Sequence, residues 1–529
     1  MTAQERLPRL VQSLLSPSAY PHPVEQVQIV QTHISYVLFA GEYVYKIKKP
    51  VNFGFLDYST LERRLFYCEE EVRLNCRLCP DTYLGVEPVT AAGAGVALGG
   101  SGEVIEYAVK MRRLPQERMM DVLLQDGAVN SEMLTRLTDK LVEFHRTSER
   151  SDYIDSFGSE EAITFNWQEN FDQTEPYVGR TISKERWQAI KDWVESFLER
   201  EKGVLQRRVQ EGRIRDCHGD LRTNAVCFVD GVCVFDCIEF NERFRYSDVA
   251  SDVAFLAMDM DFKGHRALSD EMVGLYLAQS RDTTLPLVLN FYKCYRAFVR
   301  GKVDGFQIDE PEIPPSQREE AAAASRRYFE LAEEYSRRSC SPLLVMMMGA
   351  TGSGKSYLAL ALAGRLGAPV ISSDVVRKEL AGIDPSLPRI APLDSGIYSP
   401  ESTAQTYDEM LRRARAFLED GHPVILDATY LRRQQRQAPR AAAAALHVPF
   451  LAIECLLPER LVQERLRQRE GQPWSPSDGR WEIYQAQQSR AEPPSELAEK
   501  ERLTIDTSLP LSRQLDMAEE RATELCSER

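Results

Sequence analysis

Alternating hydrophobic and polar positions predict a small sheet near the start of the chain. The run VQIVQTHISYVLFAGEYVYKIKKPV indicates two strands that turn at Ala40-Gly41-Glu42. A charge-rich run, STLERRLFYCEEEVRLNCRL, follows with the spacing of a helix. The next run, YLGVEPVTAAGAGVALGGSGEVIEYAVKMRRLP, predicts two further strands joined by a Gly/Ala-rich loop, with a break at Pro115. The first 115 residues are therefore predicted to form a sheet with one helix.

Helical periodicity dominates the middle of the chain. It extends from Met119 to about Arg215, gives way to strands within 216–240, and returns from Ser247 to about Val303. A Pro-punctuated loop and a helix over about 316–338 lead to Cys340-Ser341-Pro342, which we interpret as a linker.

Continuous apolar runs distinguish the part of the chain after this linker. LLVMMMG, PVISSD, HPVILDATY and PFLAIECLL have the composition of strands that are buried on both faces. Helical stretches separate these runs. The alternation predicts a doubly wound parallel sheet.

The composition disfavours several classes of protein. The chain has 529 residues, too many for one ordinary core, and a formal net charge of −15. Such a surface repels a phosphate backbone, so nucleic acid is an unlikely partner, although a local basic groove stays possible. No run approaches the roughly 18–20 apolar residues of a membrane span, and the N-terminus lacks a signal-peptide pattern. We expect a cytoplasmic protein with no membrane partner, and its oligomeric state stays open.

The eleven cysteines are scattered, many of them in apolar runs. Cys76 and Cys79 form a lone C-x-x-C, and a zinc site would need a second ligand pair at a suitable spacing, which we do not find. We interpret these two cysteines as small residues in a helix and its exit.

A phosphate-binding loop follows the first apolar run after the linker. The sequence fits G-x-x-x-x-G-K-[ST] between an apolar strand and the helix YLALALAGRL. Glycines let successive N–H groups point at phosphate oxygens, while Lys355 would reach the β- and γ-phosphates and Ser356 would ligate magnesium. The alternative is a glycine-rich turn that binds nothing. The residues predicted to bind nucleotide here are Gly349, Ala350, Thr351, Gly352, Ser353, Gly354, Lys355 and Ser356.

Two further strand ends favour a kinase over a simple ATPase. The run VISSD places Asp374 just past a strand, with Arg377 one helical turn later. Ligands of such sheets bind at the carboxyl ends of the strands, where this carboxylate could accept the proton of an acceptor hydroxyl and the arginine could hold an anionic group. Asp427 closes the strand PVILD and could hold magnesium through water. The alternative is that both aspartates only cap helices.

A helix rich in arginine leads into a Gly/Pro/Ser loop in ERLVQERLRQREGQPWSPSDGRWEIY. Arginines on a mobile lid could stabilise the charge of a transferring phosphoryl group. Four arginines on one helix are also typical of a solvated face. We favour Arg465 and Arg469, which are four residues apart and share a face, over Arg460 and Arg467.

The segment from Gly349 to about Trp481 resembles the P-loop kinases related to gluconate kinase, the zeta toxins and the polynucleotide kinase phosphotransfer domain. The resemblance rests on GATGSGKS, SSDVVRKEL, VILDATY and the arginine-rich lid. It implies that Asp374 and Arg377 engage the acceptor. It leaves the acceptor open, because these families phosphorylate sugars, nucleotide sugars and nucleic-acid 5′ ends.

A second candidate site lies in DCHGDLRTN, which spans 216–224. The hairpin VCFVDGVCVFDCIEF follows, and its second strand is predicted to carry Asp236 and Glu239. The pattern is similar to the catalytic loop of protein kinases and their later metal-binding aspartate. Asp220 would orient the acceptor hydroxyl and Asp236 would hold magnesium. The alternative is a tight turn with a buried histidine.

The first 115 residues supply the other groups that such a site needs. Lys46 in the strand EYVYKIK could pair with the α- and β-phosphates, although Lys48 has the same strand parity. Glu70 or Glu71 on the next helix could orient the lysine, and we favour Glu71. YAVKMRRLP is interpreted as the last strand leading into a hinge at about Met111 to Pro115, where Met111 would contact the nucleotide.

Residues 33–303 resemble the aminoglycoside phosphotransferase group, the small-molecule relatives of protein kinases. The signals are the lysine strand, the hinge, HGDLR, FDCIEF and the later Asp248-x-x-x-Asp252-x-Ala254. The whole chain resembles a bacterial fusion of this domain with a P-loop kinase, an arrangement commonly described as bifunctional. An aminoglycoside acceptor does not follow from this likeness.

One position departs from the family pattern. The family asparagine lies five residues after the aspartate, where this chain has Ala225, and Asn224 is one residue early. Either the loop is shorter and Asn224 still binds magnesium, or that ligand is missing. Farther along, Arg296 and Arg300 share a helix face and could grip an anionic acceptor, although salt bridges to neighbouring acids are the favoured explanation.

The predicted fold combines α+β and α/β parts. Residues 1–338 form a bilobal protein-kinase-like domain, with an N-lobe over about 25–114, a C-lobe over about 115–310 and the linker helix, and residues 341–529 form the P-loop domain. We expect a bifunctional phosphotransferase that uses ATP and Mg²⁺ to phosphorylate hydroxyl groups of small molecules. Two alternatives are a P-loop kinase or ATPase regulated by a nucleotide-binding pseudokinase domain, and a nucleic-acid end kinase.

Overall fold

The computed structural model describes residues 7–93, 95–311, 313–338, 342–385, 396–469 and 480–527, with the side chain of Arg469 excepted. The chain divides into two compact units. The first contains the residues up to Ile163 together with Leu205–Asp259, and the second contains Thr164–Val204 together with the residues from Met260 onward. Among the described residues, no helix is both long enough and apolar enough to cross a membrane.

A six-stranded antiparallel sheet occupies the start of the first unit, in the order β1-β2-β3-β6-β4-β5. Its strands alternate side chains between a core face and the opposite face, and Leu38, Tyr45 and Ala108 are fully buried. The predicted turn at Gly41 is confirmed, since Ala40 pairs with Tyr43. The strands are β1 Val27–Gln31, β2 Ser35–Ala40, β3 Tyr43–Lys48, β4 Tyr83–Ala92, β5 Gly95–Leu98 and β6 Val104–Arg112.

The sheet has more strands than the sequence pattern predicts. The first run forms three strands rather than the predicted two, because the Thr32 hydroxyl accepts the Ser35 N–H at 2.9 Å and turns the chain between β1 and β2. The Gly/Ala-rich segment, predicted as a loop, contains β5, which pairs with β4 through Val89↔Leu98. Short polar turns inside apolar runs are the feature that the periodicity did not reveal.

Two helices accompany the sheet. The short helix α1 (Arg9–Leu14) precedes β1, and helix α2 (Leu61–Asn75) packs on strands β4 and β6. Its N-cap is Thr60, whose side chain accepts the Arg63 N–H, as the helical prediction requires. The turn after α2 carries Cys79, which is disulfide-bonded to Cys233 with a Cα–Cα distance of 4.9 Å. Our interpretation of Cys79 as no more than a small residue is therefore wrong, because its partner lies 154 residues away and sequence spacing does not reveal it.

Short strands and helices complete the first unit. The hairpin predicted over VCFVDGVCVFDCIEF has only two residues in each strand, and its second strand ends before Asp236, which has a left-handed φ of 64°. The prediction that Asp236 and Glu239 lie on that strand is therefore wrong. The remaining elements up to Phe262, of which α6 and α7 lie mostly in the second unit, are α3 Met120–Gln125, α4 Ser131–Thr147, α5 Asp152–Asp155, α6 Glu160–Thr174, α7 Lys184–Gln210, β7 Ile214–Asp216, β8 Val226–Cys227, β9 Cys233–Val234, α8 Glu242–Arg245, β10 Tyr246–Asp248 and α9 Val249–Phe262.

A five-stranded parallel sheet forms the centre of the second unit, in the order β12-β13-β11-β14-β15. The first strand, LVMMM, is buried along its whole length, as a central strand covered on both faces must be. The predicted parallel sheet is confirmed. Its elements are β11 Leu344–Met348, α13 Lys355–Leu366, β12 Val370–Ser372, α14 Ser373–Leu380, α15 Pro400–Glu419, β13 Val424–Asp427, α16 Arg433–Ala445, β14 Phe450–Leu456, α17 Glu459–Arg469, α18 Trp481–Arg490, β15 Arg502–Asp506 and α19 Leu511–Ser527.

Three helices that precede the sheet belong to the same compact unit. They are α10 Arg266–Ser280, α11 Leu285–Phe306 and α12 Pro315–Arg337. Helix α10 crosses α13 closely, and the side chain of Arg365 is buried there in ion pairs with Asp270 at 2.8 Å, Asp516 at 2.8 Å and Glu519 at 2.9 Å. The compact units are defined by contacts within the fold, whereas the predicted domains 1–338 and 341–529 are defined by resemblance to two families. The domain limits therefore stay a prediction.

Substituting Gly274 by alanine should destabilise the second unit. Gly274 lies in α10, and a Cβ atom there would lie 3.0 Å from the backbone nitrogen of Ala361. Alanine favours a helix by up to about 1 kcal/mol over glycine, but overpacking costs about 1–3 kcal/mol. We expect Gly274→Ala to lower the thermal midpoint by a few degrees. The matched control is Gly203→Ala in α7, where a Cβ atom would meet nothing within 4 Å and the midpoint should rise or stay. A Gly274→Ala midpoint at or above that of Gly203→Ala would contradict the close crossing.

Candidate functional sites

The loop between β11 and α13 has a conformation that requires its glycines. Gly349, Gly352 and Gly354 have φ values of 141°, 78° and 88°. A Cβ atom on Gly349 would lie 2.7 Å from the carbonyl oxygen of Cys455, and one on Gly354 would lie 2.9 Å from Arg465. The loop therefore wraps tightly at the start of α13, where helix N–H groups favour an anion.

Polar groups that fit a magnesium ion converge below this loop. Ser356 lies close enough to the carboxylate of Asp427, at the end of the adjacent strand β13, for its hydroxyl to oppose the rise in the pKa of that carboxylate. Asp427 is buried, and its Oδ1 has no hydrogen-bond partner among the described residues. Burial raises the pKa of Asp427, against the opposing charge of Lys355. A hydroxyl and a carboxylate are ligands that Mg²⁺ prefers, so these residues fit the metal of a P-loop site.

Lys355 folds back over the loop in the structure. Its ammonium donates to the carbonyl of Ala350 at 3.4 Å. Two contacts that the sequence did not reveal brace the loop: the Thr351 N–H donates to Gln487 Oε1 at 2.7 Å, and the Thr507 hydroxyl donates to the Ser353 carbonyl at 2.6 Å. Gln487 and Thr507 lie in no recognisable motif, so only the fold identifies them.

Asp374 and Arg377 lie in the first two turns of α14, next to the end of β13 through the pair Ser372↔Asp427. The Arg377 guanidinium donates to the Ile397 carbonyl at 2.8 Å and the Thr403 hydroxyl at 3.1 Å, and its Nε has no partner among the described residues. Its remaining donor capacity suits an anionic ligand.

Aromatic residues surround this part of the sheet. The Arg377 guanidinium lies over Tyr398, with 5.0 Å to the ring centroid. The Tyr407 hydroxyl lies 3.3 Å from that of Thr429, and the charges of Arg377 and Asp374 both act on its pKa, which burial raises. Tyr398 and Tyr407 were not predicted, since an isolated tyrosine on a helix or turn carries no motif.

Arg465 lies beside the phosphate-binding loop rather than at a distance from it. It donates to the carbonyl of Thr507 at 2.8 Å. Its Nη1 would lie 2.9 Å from a Cβ atom added to Gly354. The side chain of Arg469 and the segment 470–479 lie outside the described residues. Arg460 and Arg467 are exposed, as on a solvated face.

The first unit brings together the residues predicted for the other site. Lys46 lies between two carboxylates, 2.9 Å from Glu71 Oε1 and 2.7 Å from Asp236 Oδ1. Glu71 is fully buried, whereas Glu70 pairs with Arg73 near the surface at 2.7 Å. The helix face thus selects Glu71 over Glu70. Asp236 is half exposed, which leaves its other oxygen accessible to a ligand.

Asp252 binds the backbone of the loop formed by His218, Gly219 and Asp220. Its carboxylate accepts the N–H groups of His218 at 2.7 Å and Gly219 at 3.0 Å, and it lies 3.4 Å from Nε2 of His145. Burial alone would raise the pKa of Asp252, but these partners outweigh it and lower the pKa to about 2. His218 is buried with Nε2 2.9 Å from the Phe235 carbonyl, and burial lowers its pKa, so it is a neutral structural residue. Asp220 is left facing outward, with Arg222 bound to both of its oxygens at 3.0 and 2.9 Å.

Comparisons with known proteins show the family to which the chain belongs. It is 33% identical over 456 residues to the uncharacterized protein Rv2004c of Mycobacterium tuberculosis (strain ATCC 25618 / H37Rv), covering 85% of this chain and 88% of that protein. The uncharacterized protein Mb2027c of Mycobacterium bovis matches to the same extent. The chain belongs to the family of these mycobacterial proteins. Within it, residues 79–287 match the model of the phosphotransferase enzyme family, and residues 344–494 match an AAA domain model.

Solved structures match the two parts separately. A gluconokinase from Sinorhizobium meliloti 1021 is 22% identical and covers 35% of this chain and 95% of its own, with a TM-score of 0.26. A choline/ethanolamine kinase family protein from Mesorhizobium loti is 12% identical and covers 62% of this chain and 97% of its own, with a TM-score of 0.36. The family matches at 79–287 and 344–494, rather than these distant structures, show a fusion of an aminoglycoside phosphotransferase-like domain and a P-loop domain, and the prediction that the chain is a kinase is confirmed.

The remaining predicted residues of the phosphotransferase domain have clear positions. Thr223 is fixed by Asp259, which accepts both its N–H at 3.0 Å and its hydroxyl at 2.6 Å. This places Asn224 at the surface of a short turn and buries Ala225. Met111 lies on β6, opposite Val44, and its contact with a nucleotide stays a prediction.

Arg296 and Arg300 lie on α11, in the second compact unit. Arg300 pairs with Asp304 at 2.7 Å, in agreement with the salt-bridge explanation. Arg296 is buried, with its guanidinium 5.7 Å from the ring centroid of Tyr295.

Proposed function

We propose that the protein is a two-site kinase that transfers the γ-phosphoryl group of ATP to hydroxyl groups of small molecules. One observation supports this most strongly: each domain brings a lysine close to a carboxylate that is predicted to bind magnesium, Lys46 with Asp236 and Lys355 with Asp427. A further aspartate, Asp220 in the first domain and Asp374 in the second, lies in an adjoining segment. Phosphoryl transfer depends mainly on such positioning and charge.

In the P-loop domain, the loop N–H groups and Lys355 would hold the phosphates, while Ser356 and Asp427 would hold the magnesium ion. Magnesium neutralises charge on the phosphate oxygens when bound. Asp374 would accept the proton of the acceptor hydroxyl, and Arg377 would bind an anionic part of the acceptor. Arg465, fixed beside Gly354 by Thr507, supplies positive charge near the phosphates.

In the phosphotransferase domain, Lys46 would bind the α- and β-phosphates in the orientation set by Glu71. Asp236, with Asn224, would hold magnesium, and Asp220 would orient the acceptor hydroxyl. The exposed position of Asn224 supports the interpretation that the loop is one residue shorter and the asparagine still serves. Asp220 must then exchange its two contacts with Arg222 for the acceptor hydroxyl.

The same two contacts favour a second candidate function. With both oxygens of Asp220 bound to Arg222, the first domain could bind nucleotide and regulate the P-loop kinase without transferring phosphate itself. The two functions predict different results when Asp220 is replaced, since only a catalytic aspartate affects transfer.

Transfer of labelled phosphate tests the proposal directly. The wild type, Asp220→Asn and Asp374→Asn are incubated with γ-labelled ATP and a metabolite extract. We expect each substitution to remove a different labelled product, with a loss of about 10²–10⁴-fold in rate, because each removes one acid–base group. If only Asp374→Asn matters while Asp220→Asn still binds nucleotide, the regulatory function is the better account. If neither matters and only free phosphate appears, the kinase proposal for these sites is wrong.

A further inference from the structure

A second lysine lies behind Lys46 and does not reach the exposed side of the site. Lys48 is fully buried, with its ammonium 2.7 Å from Glu71 Oε2 and also bonded to Glu239. Since Oε1 of Glu71 binds Lys46, the two lysines share one carboxylate from opposite sides. The sequence alone did not distinguish Lys46 from Lys48 as the lysine that pairs with the phosphates. In the structure, Lys46 contacts the half-exposed Asp236 and Lys48 does not.

Tyr58 closes this arrangement. Its hydroxyl donates to Glu239, and the ammonium of Lys48 lies 3.5 Å from that hydroxyl and 4.9 Å from the ring centroid. Burial alone would lower the pKa of Lys48, but the charges of Glu239 and Glu71 outweigh it and raise the pKa, so Lys48 stays protonated. Two lysines thus face three carboxylates, in a chain that extends from Glu239 through Lys48, Glu71 and Lys46 to Asp236.

We propose that Lys48, held by Glu239 and Tyr58, is a positioning residue that fixes Glu71 and thereby orients Lys46 toward the phosphates of ATP. This inference rests on the proposed function of the first site. A carboxylate with a lysine on one oxygen only can rotate about its last bond, whereas Glu71 has a lysine ammonium within ion-pair distance of each oxygen, 2.9 Å from Oε1 and 2.7 Å from Oε2. Without Lys48, the carboxylate of Glu71 could turn, and the ammonium of Lys46 would have no fixed direction between Glu71 and Asp236.

A charge-balanced pair of substitutions separates this role from simple neutralisation. Lys48→Met leaves Glu239 buried without its lysine and should destabilise the domain as well as impair it. Lys48→Met with Glu239→Gln removes one positive and one negative group, so folding should recover. If Lys48 positions Glu71, the double variant still shows a raised KM for ATP and a lowered kcat. We expect a loss of about 10- to 100-fold in kcat/KM for Mg–ATP, the size of effect found when a residue that orients a metal ligand is removed.

The assay uses the full chain carrying Lys355→Ala, so that turnover reports the first site, together with the affinity for Mg–ATP. Lys110→Met is the matched control, because it removes a lysine–glutamate pair of 3.0 Å from the same sheet, and it should leave both readouts unchanged. Lys46→Met is the reference for a direct phosphate contact. If Lys46→Met lowers affinity or turnover and the folded double variant does not, Lys48 only neutralises Glu239 and this inference is wrong. If Lys46→Met itself has no effect on either readout, the proposed function of the site fails, and the role of Lys48 fails with it.

Discussion

Replacing Lys355 with alanine should lower turnover at the P-loop site by at least about 10²-fold and leave the first site intact. Lys355 begins α13 directly after the glycine loop, and its charge acts on the buried carboxylate of Asp427. Preorganised cationic groups at a transferring phosphoryl group are worth several kcal/mol each, because they act in a site that excludes water. The contact of Lys355 with the Ala350 carbonyl, 3.4 Å, is long enough to be exchanged for a phosphate at little cost.

The measurement is the rate of each labelled product, with nucleotide affinity measured alongside. Lys184→Ala, which removes an exposed lysine at the start of α7, is the control for loss of one positive charge in the same unit. We expect that control to match the wild type. Survival of both products in the Lys355→Ala variant would show that the glycine loop is not the site of transfer.

Asp427→Asn should lower turnover at the P-loop site without lowering the thermal stability of the protein. The variant loses the carboxylate that would bind magnesium, so we expect turnover at this site to fall by about 10²-fold or more and the magnesium requirement to rise. Without magnesium, however, Asp427 is a buried carboxylate with one oxygen unpartnered among the described residues and a raised pKa. Removing that charge should leave the thermal midpoint unchanged or raise it, since functional sites are commonly stabilised by losing their buried charges.

Thermal midpoints with and without Mg–ATP test this reasoning. The wild type should gain stability from the ligand, by the ordinary linkage between binding and folding, and the variant should gain much less. The exposed Asp420, at the end of α15, provides the control Asp420→Asn, which should behave as the wild type. A lower midpoint for Asp427→Asn in the absence of magnesium would mean that the carboxylate is needed for folding rather than for the metal.

Local sequence signals were sufficient where one short segment builds the feature. The glycine loop, the end of β13 at Asp427 and the turn at Gly41 each depend on neighbouring residues, and each is found where the pattern predicts it. The sequence favoured Glu71 over Glu70 without a physical reason, because the reason is the helix face that reaches Lys46, where Glu71 lies 2.9 Å from the ammonium while Glu70 pairs with Arg73. The partner of Cys79 and the bracing of the glycine loop by Gln487 likewise come from residues more than a hundred positions away.

The close crossing of α10 and α13 bears on how such a fusion gene can be divided. Arg365 has only 2% of its side chain exposed and depends on Asp270, which lies before the linker, for one of its ion pairs. A gene break at Ser341 would leave this guanidinium with a missing partner and expose the small residues of α13 that meet Gly274. The predicted linker lies between the two family matches, 79–287 and 344–494, but a separately encoded P-loop protein that began there would lack the helix α10 that packs on α13. Fission of the fusion is therefore a harder evolutionary step than its sequence boundary suggests.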